Sequence, residues 1–344
     1  MSTTRSLSFG TGLLLAASTV AVAQTPTQAE LAPDCRYTAT TIPNQSQITS
    51  DACQKISDFA AFFAPILGTS LVGGNATLGQ GGTLGGLGHF SIGLRANVMT
   101  SGTLPDLRNT PIVATGAQRS TIGVTNLMVG LPAVDAAIGI FRGFPLGVTN
   151  VGGIDLLLSA TYIPEITADE ASVTVPSGSL KVGYGARVGL LQESLLVPGV
   201  GVSFLKRDLP STTVATASGD DQLEIRELKT ETTAWRVTAS KSLLFFGLAA
   251  GVGQDSYKTS TQLYVKVNQT VGATPLSGSK TINFTQDLKR TNYFVDASIN
   301  LLILKLTAEV GKVSGGDIPT VNIFQGKEAD ASRMYFSAGA RIGF

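Results

Sequence analysis

The sequence predicts an all-β protein, an antiparallel up-and-down transmembrane β-barrel of about ten to twelve strands, with ten and fourteen as the outer limits. Three observations lead to this class. Charged residues make up 14% of the 344 residues, well below the roughly 25% of an average soluble domain. Apolar and polar residues alternate along ten segments, and no uninterrupted apolar run after residue 23 reaches the ~18–20 residues that a membrane-spanning helix needs. Because hydrocarbon holds no water for open backbone groups, such strands must close into a barrel.

The first 23 residues have the features of a cleaved secretory signal peptide. Arg5 precedes a mostly apolar stretch from Leu13 to Val22, and Ala21-Val22-Ala23 supplies the small-x-small cleavage pattern in front of Gln24. The predicted organisation is therefore a signal peptide at 1–23, a periplasmic N-terminal segment at 24–87 and the barrel at 88–344.

Strict period-two alternation marks the ten predicted strands. They are 88–99, 133–142, 153–163, 179–190, 197–206, 232–240, 244–254, 290–299, 303–312 and 333–344. The connections between them are alternately short and long, as an up-and-down barrel with turns at one end and loops at the other requires. Residues 257–268 and 280–287 also look extended, and a further pair of strands within 112–131 would bring the total to twelve.

The last strand carries the most specific signal. Counting back from the terminal Phe344, the alternate positions are Ile342, Ala340, Ala338, Phe336 and Met334. This pattern resembles the closing strand of bacterial outer-membrane β-barrels, whose C-terminal aromatic residue is read by the barrel-assembly machinery. The resemblance implies the outer membrane of a Gram-negative cell as location, with Phe344 as assembly signal. It also implies the assembly machinery, outer-membrane lipid and lipopolysaccharide as partners.

Because the chain is predicted to be exported, its two cysteines, Cys35 and Cys53, are expected to lie in an oxidising compartment. In an oxidising compartment two lone thiols are more often joined than free, so we expect a disulfide between them.

An amphipathic helix is predicted at 52–68, ahead of the barrel. Its apolar positions at helical spacing are Ile56, Phe59, Phe63 and Leu67, with Pro65 limiting the last turn and Gly68 ending it. Glycine-rich residues 79–88 then form a linker. The helix is expected to plug the lumen or pack under the barrel mouth, and a position on the inner membrane interface is the alternative.

This order of segments resembles the long-chain fatty acid transporter family, in which an N-terminal hatch blocks the lumen and hydrophobic cargo leaves sideways into the membrane. The chain departs from that family because it lacks the Asn-Pro-Ala hatch motif and has fewer strands. The resemblance therefore supplies no binding residues.

The inward-facing rows of the predicted strands contain many glycines and a set of charges of both signs. Glycine either relieves strain at the bends of a small barrel or leaves space for something else. The charges favour interlocked ion pairs in the lumen over a selectivity ring of one sign. The predicted lumen-lining charges are Arg95, Asp155, Lys181, Arg187, Arg236, Asp296, Lys305, Glu309 and Arg341.

The residues argue against several functional classes. A net charge of +1 gives no reason to expect nucleic acid. The single histidine, His89, stands among glycines with no nucleophile motif, and no Cys/His cluster suggests a metal site, so we expect no enzyme, metal or cofactor. The predicted function is a channel or transporter for a small hydrophobic solute. The alternative is a non-conducting structural or adhesive barrel that acts through its extracellular loops.

Overall fold

The computed structural model describes residues 25–99, 103–107, 110–126, 130–168, 171–218 and 221–344. The predicted signal peptide lies outside these residues. Ten strands form the barrel, in this order along the chain: β1 Phe90–Met99, β2 Gly130–Phe141, β3 Gly153–Tyr162, β4 Leu180–Leu191, β5 Gly199–Asp208, β6 Asp221–Leu243, β7 Phe246–Val271, β8 Thr274–Leu301, β9 Leu304–Val313 and β10 Arg333–Gly343.

The barrel is closed by antiparallel pairing all the way round. Each strand pairs with the next along the chain, and β10 pairs back with β1 in a register that places Ile92 opposite Ile342. The N–H of Phe90 donates to the carbonyl of Phe344, and the N–H of Phe344 donates to the carbonyl of Phe90, each at 3.0 Å. The prediction of a closed antiparallel barrel is confirmed, with ten strands in the ring.

The expected further strand pair within 112–131 is wrong as part of the barrel. Thr121–Ile122 pairs with Ile323–Phe324, and Val124–Asn126 pairs with Thr103–Pro105, both outside the ring. Two or three residues are too few to cross a membrane, which takes ~9–11 in a tilted strand.

The exterior of the barrel is apolar and the interior is polar. Leu94, Val182 and Leu248 point outward and are 59–67% exposed, whereas Arg95 on the opposite face of β1 is 4% exposed. Exposed aromatic side chains occur toward both ends: Tyr162, Phe204, Trp235, Tyr293, Phe246 and Phe344. An apolar surface that surrounds the whole barrel has only lipid as a suitable solvent.

Three strands extend well beyond the part that lipid covers. β6, β7 and β8 have 23, 26 and 28 residues, more than twice the ~9–11 needed to cross. The prediction that 257–268 and 280–287 are extended is confirmed: both continue β7 and β8 within the long connection between the two predicted strands, and a two-residue turn at 272–273 joins them. Short strands add to this projecting sheet, namely Ile166–Ala168, Ala171–Thr174 and Thr212–Ser218. We call this end the loop end, and the opposite end, with connections such as 244–245 and 302–303, the turn end.

Helix α1, Gln45–Val72, is longer than the predicted 52–68. It begins with a capping box, in which Asn44 accepts from the N–H of Gln47 while the Gln47 side chain accepts from the N–H of Asn44. A Cys35–Cys53 disulfide ties α1 to the 3-10 turn Pro33–Cys35, which confirms the predicted disulfide.

The expected end of the helix at Pro65 and Gly68 is wrong, and both departures have a cause in the barrel wall. Pro65 cannot donate to the carbonyl of Ala61, and the Gln286 side chain donates to that carbonyl instead, at 3.2 Å. Gly68 faces the Tyr257 ring, whose Cγ would lie 2.6 Å from a Cβ at this position. Glycine at position 68 lets the barrel wall come close to the helix, and the helix continues past it.

The helix lies inside the barrel as a plug. Of its 28 residues 24 are buried, and although its length and composition would allow it to cross a membrane, 89% of its most apolar window is buried within the protein. The segment 24–87 was expected to be periplasmic, with its helix as a plug or mouth cover, and the helix is the plug. In the structure α1 starts at the loop end and the chain after it descends through the lumen to the turn end.

Glycines in the wall make room for residues 73–88, which we call the linker. A Cβ on Gly201 would overlap the carbonyl oxygen of Gly81, and a Cβ on Gly139 would overlap that of Gly86. A Cβ on Gly189 would lie 2.9 Å from Thr83. At these positions glycine leaves space for the linker, which favours the second of the two explanations for the inward glycines.

We predict that Gly201→Val, which adds bulk where the linker passes, destabilises the barrel by about 1–3 kcal/mol, the usual cost of overpacking. The measurement is the urea midpoint in lipid vesicles, read from the gel mobility difference between folded and unfolded forms. Gly123→Ala is the matched control because a Cβ there meets open space. Equal midpoints for both variants would contradict the fit between linker and wall.

Candidate functional site

The C-terminal end of α1 lies in the middle of the lumen, and the wall supplies donors to its last carbonyl groups. The Asn97 side-chain amide donates to the carbonyls of Thr69 and Ser70, at 2.9 and 2.7 Å. The carbonyl of Thr69 also accepts from the N–H of Gly73, the last hydrogen bond of the helix, at 2.9 Å, so Asn97 adds wall donors where the donors of the helix run out. The end of the plug is therefore fixed by side chains of the barrel.

Three arginines surround the same end of the helix, and we call Arg95, Arg207 and Arg236 the arginine cage. Arg207 and Arg236 donate to the carbonyl of Val72 at 3.1 and 2.7 Å. Arg95 donates to the carbonyl of Gly73 at 2.5 Å. Cations next to a helix C-terminus also complement the negative end of its dipole. The cage thus binds the plug by hydrogen bonds and by charge.

Buried carboxylates of the wall balance these cations. Asp135 lies 2.6 Å from Arg95 and 3.4 Å from Arg207, and Asp255 lies 3.6 Å from Arg236. Outside the cage, Arg187 pairs with Asp155 at 2.6 Å and donates to Thr77 of the linker. A buried charge without its partner is costly, and each of these pairs compensates a charge that the filled lumen buries.

Neutral polar side chains extend this network across the wall. The Tyr257 hydroxyl lies 3.3 Å from the Thr69 hydroxyl of the plug and 3.4 Å from Asp255. Asn292 donates to Asp255 at 2.9 Å and accepts from the Tyr335 hydroxyl at 3.1 Å. Three strands, β7, β8 and, beyond β9, β10, are therefore connected to the same end of α1.

The outer half of the plug is held by loops at the loop end. Asp51 accepts from the N–H of Val113 at 2.7 Å and pairs with Lys55 at 2.6 Å. Asp58 accepts from the N–H groups of Val321 and Asn322 at 3.1 and 2.8 Å. The plug thus contacts two loops through carboxylates and the wall through carbonyl groups.

The predicted plug residues all face protein. Ile56 and Leu67 are buried in a hydrophobic cluster that includes Leu263 of the projecting sheet. The rings of Phe59 and Phe63 stack with centroids 5.7 Å apart at the edge of this cluster. The helix is buried around its circumference, whereas the sequence pattern predicted burial of one apolar face only.

The predicted lumen charges occupy four kinds of position. Arg95, Asp155, Arg187 and Arg236 make the contacts above. Asp296 and Glu309 are fully buried on adjacent strands, and Glu309 accepts from the N–H of Gly74 at 3.1 Å. Lys305 and Arg341 bind the linker near the turn end, through the carbonyl of Gly79 and the side chain of Gln80. Lys181 is exposed near the loop end of β4.

Phe344 is 58% exposed at the turn end, with its ring centroid 5.5 Å from that of Phe90. Its role as assembly signal stays a prediction.

Sequence reasoning missed Arg207, Asp255, Asn97, Tyr257 and Tyr335. Arg207 and Asp255 each come one residue after a predicted strand end, at 206 and 254. Both continue the inward phase of their strands, so extending the alternation would have found them. The neutral residues carry no signal of their own, because an inward Asn or Tyr gains its role only from the helix that it meets.

The plug and linker leave little space in the lumen. Two cavities between them and the wall, one beside Arg207 and one beside Asp135, measure about 20 Å3 each, room for about one water molecule. Within the described residues no group of three or more His, Cys, Asp and Glu side chains is placed to hold a metal ion.

The fold and its lipid-facing exterior define a bacterial outer-membrane β-barrel protein, located in the outer membrane. No protein-family model matches the chain, and no curated protein matches it.

Solved structures that resemble it are outer-membrane proteins. The attachment invasion locus protein Ail of Yersinia pestis is 9% identical, over 75% of this chain and 99% of Ail, with a TM-score of 0.25. The toluene transporter TbuX of Ralstonia pickettii is 13% identical, over 80% and 96%, with a TM-score of 0.27. OpdK of Pseudomonas aeruginosa is 8% identical, over 74% and 99%, with a TM-score of 0.16. Scores this low carry no argument about function.

We predict that Arg236→Met lowers the free energy of unfolding by about 3–5 kcal/mol, because Asp255 is left buried without its cation and Val72 loses a donor. The urea midpoint in lipid vesicles measures it. Arg226→Met on the same strand is the control, since Arg226 pairs with Glu224 at the surface and such pairs contribute ~0–1 kcal/mol. Equal losses of unfolding free energy in both variants would contradict the role of Arg236 in holding the plug.

Asp58 gives a pH prediction. Asp58 lies at the loop end. It is one helical turn before Phe62, whose ring contacts Arg333, the first residue of β10. Burial raises the pKa of Asp58 from 3.8 to about 6, against the lowering effect of the hydrogen bonds from Asn322. The folded state thus holds this proton more tightly than the unfolded state, so the stability gained by protonation is full below pH ~4 and is lost as the pH rises through 6.

Between pH 4 and 7 the free energy of unfolding should fall by at most about 3 kcal/mol through this group. Asp58→Asn, which cannot ionise, should remove this part of the pH dependence. Thermal midpoints of the two proteins across the range test it, and parallel curves would contradict the assignment.

Proposed function

We propose that this outer-membrane barrel transports a small solute, and that α1 must move for the solute to pass. The observation that carries the proposal is the kind of seal that closes the lumen. The barrel is wide enough to contain a helix, and the end of that helix in the middle of the lumen is held by hydrogen bonds to Asn97 and the arginine cage, which is balanced by ion pairs. No catalytic step is part of the proposal.

A polar seal can open at lower cost than an apolar one. The donors of Asn97 and the arginine cage can exchange carbonyl partners for water, and the net contribution of such a hydrogen bond is only about 0.5–1.5 kcal/mol, or up to ~3 kcal/mol with a charged donor. A helix fused into the wall by apolar packing would expose its whole surface on leaving. The contacts around the C-terminal end of α1 are of the first kind.

The covalent structure also allows movement. The disulfide joins α1 to its own N-terminal segment, so plug and segment form one unit without a covalent bond to the wall other than the chain itself. That chain is the linker, in which five glycines adopt positive φ: Gly74, Gly79, Gly85, Gly86 and Gly88. Glycine crosses between backbone conformations at little cost, so the linker suits a tether.

The chemistry of the solute follows from the wall. A hydrophobic solute was expected, and this stays a prediction. The wall in the middle of the lumen includes arginine, aspartate, asparagine and tyrosine side chains beside a few apolar ones such as Leu157 and Leu205, a mixture that favours a solute with polar groups. We therefore propose a polar or amphipathic solute for the path that the plug closes.

The second candidate is the structural or adhesive barrel, and one observation favours it. β6, β7 and β8 project beyond the lipid-facing part as a continuous sheet, and α1 packs against it through the cluster of Ile225, Leu228 and Leu263. A rigid sheet outside the membrane suits contact with another surface, and on this reading the plug serves only to stiffen it.

Potassium chloride conductance in planar bilayers separates the two candidates. We expect the wild type to be silent and Asn97→Ala/Arg236→Met to show channel currents, because that variant loses donors at the C-terminal end of the plug. Arg226→Met is the control and should stay silent.

A reversible crosslink adds the decisive comparison. The Cγ atom of Tyr257 on β7 lies 2.6 Å from the position of a Cβ on Gly68, in the inner half of α1, so Gly68→Cys/Tyr257→Cys brings two thiols within reach of a disulfide. In the weakened variant this crosslink should abolish the currents, and reductant should restore them. The same reductant on the uncrosslinked variant controls for Cys35–Cys53. Silence from every variant would reject transport and favour the projecting sheet as the working part.

A further inference from the structure

A cavity of about 290 Å3 opens at the turn end of the barrel, away from the seal around α1. The linker, the turn between β8 and β9, and the paired ends of β1 and β10 enclose it. Its size is close to the lower end for small-molecule sites. Its lining residues include Gln80, Leu84, Phe90, Leu304, Lys305 and Arg341.

One side of this cavity is cationic. Lys305 donates one hydrogen bond to the carbonyl of Gly79 at 2.7 Å, and Arg341 donates one to the Gln80 side chain at 2.6 Å. An ammonium has three donors and a guanidinium five, so each side chain keeps donors beyond these single contacts. Two like charges thus face the same space with donors to spare.

No aspartate or glutamate side chain lines the cavity to neutralise this pair. The main-chain oxygen of Phe344, which is also in the lining, accepts from the N–H of Phe90 at 3.0 Å. The acids that act on Lys305, Glu193 and Asp296, lie outside the lining. His89 is also in the lining, with Nδ1 3.3 Å from the carbonyl of Gly86. The electrostatic environment therefore favours an anion.

The other side of the cavity is apolar and leads to the rim of the barrel. Leu302 is fully exposed and Ile303 is half exposed in the turn between β8 and β9. Phe90 and Phe344 form the opposite edge with adjacent rings. An inorganic anion would contact only Lys305 and Arg341, and an uncharged apolar molecule would contact only the apolar rim.

We propose that this cavity binds an anionic amphiphile, with its acidic group on Lys305 and Arg341 and its chain along Leu302, Ile303 and Phe344. A free carboxylic acid with an alkyl chain and the headgroup of an anionic membrane lipid share this chemistry. The site is independent of the transport proposal, because it requires neither movement of α1 nor an open lumen.

The test uses the full chain in phosphatidylcholine nanodiscs and isothermal titration with decanoate, corrected by empty nanodiscs. We expect saturable binding that is at least tenfold weaker in Lys305→Gln and in Arg341→Gln. Lys241→Gln is the matched control. Lys241 also lies at the turn end and also donates to backbone carbonyls, those of Ser194 and Leu195, but it does not line the cavity.

Two further ligands define what is recognised. Decanol has the alkyl chain without the charge, and inorganic phosphate has the charge without the alkyl chain. Each should bind at least tenfold more weakly than decanoate. Equal binding of decanol, equal binding of phosphate, or unchanged affinity in Lys305→Gln would overturn the proposal. The gel mobility shift first establishes that each variant is folded, and if Arg341→Gln does not fold, Lys305→Gln alone decides.

Nanodiscs that contain phosphatidylglycerol identify the source of the ligand. Competitive weakening of decanoate binding there supports the site and assigns it to the lipid headgroup. Unchanged binding supports the site and assigns it to a free amphiphile. No transport is measured, so failure here and failure of the conductance experiment are distinguishable.

Discussion

The structure depends on one constraint: a backbone surrounded by hydrocarbon must satisfy all its hydrogen bonds within itself. Ten strands meet this constraint only because β10 returns to pair with β1, which leaves no open edge. Closure then imposes the division of every strand into an apolar outer row and a polar inner row. The lumen is the consequence, since it is the place where the polar rows meet and where a second layer of chain can be held.

The contents of the lumen follow from the size of the barrel. Side chains alone fill the interior of a barrel of about eight strands, so a helix in ten strands needs space that the wall must provide. The wall provides it at Gly139, Gly189 and Gly201, where the linker passes. Where space is not needed for the linker, wall side chains fill it, as the Tyr335 ring does beside Gly311. Wall and plug are therefore complementary in shape as well as in charge.

The sequence predicted what depends on the period of two and missed what depends on tertiary contact. Strand positions, the direction of each row and the disulfide were predictable because alternation and thiol number are local or compositional signals. The ends of α1 were not, since Gln286 replaces the hydrogen bond that Pro65 cannot make, and Gly68 serves the approach of Tyr257. The extended conformation of 257–268 and 280–287 was predictable, but their pairing into one continuous hairpin of β7 and β8 was not, because strand pairing is a tertiary contact.

The two sets of contacts on α1 limit how the plug can move. A helix of 28 residues spans about 42 Å at 1.5 Å per residue, so rigid displacement would have to break the contacts of Asp51 and Asp58 at one end together with those of the arginine cage at the other. Pro65 lies between the two sets, at a point where a hydrogen bond of the helix is supplied by the wall. If the helix separates there, the cage can release its end while the loops keep hold of theirs. Opening in two steps costs less at each step than withdrawal of the whole plug, and the position of Pro65 makes the inner half the part that moves.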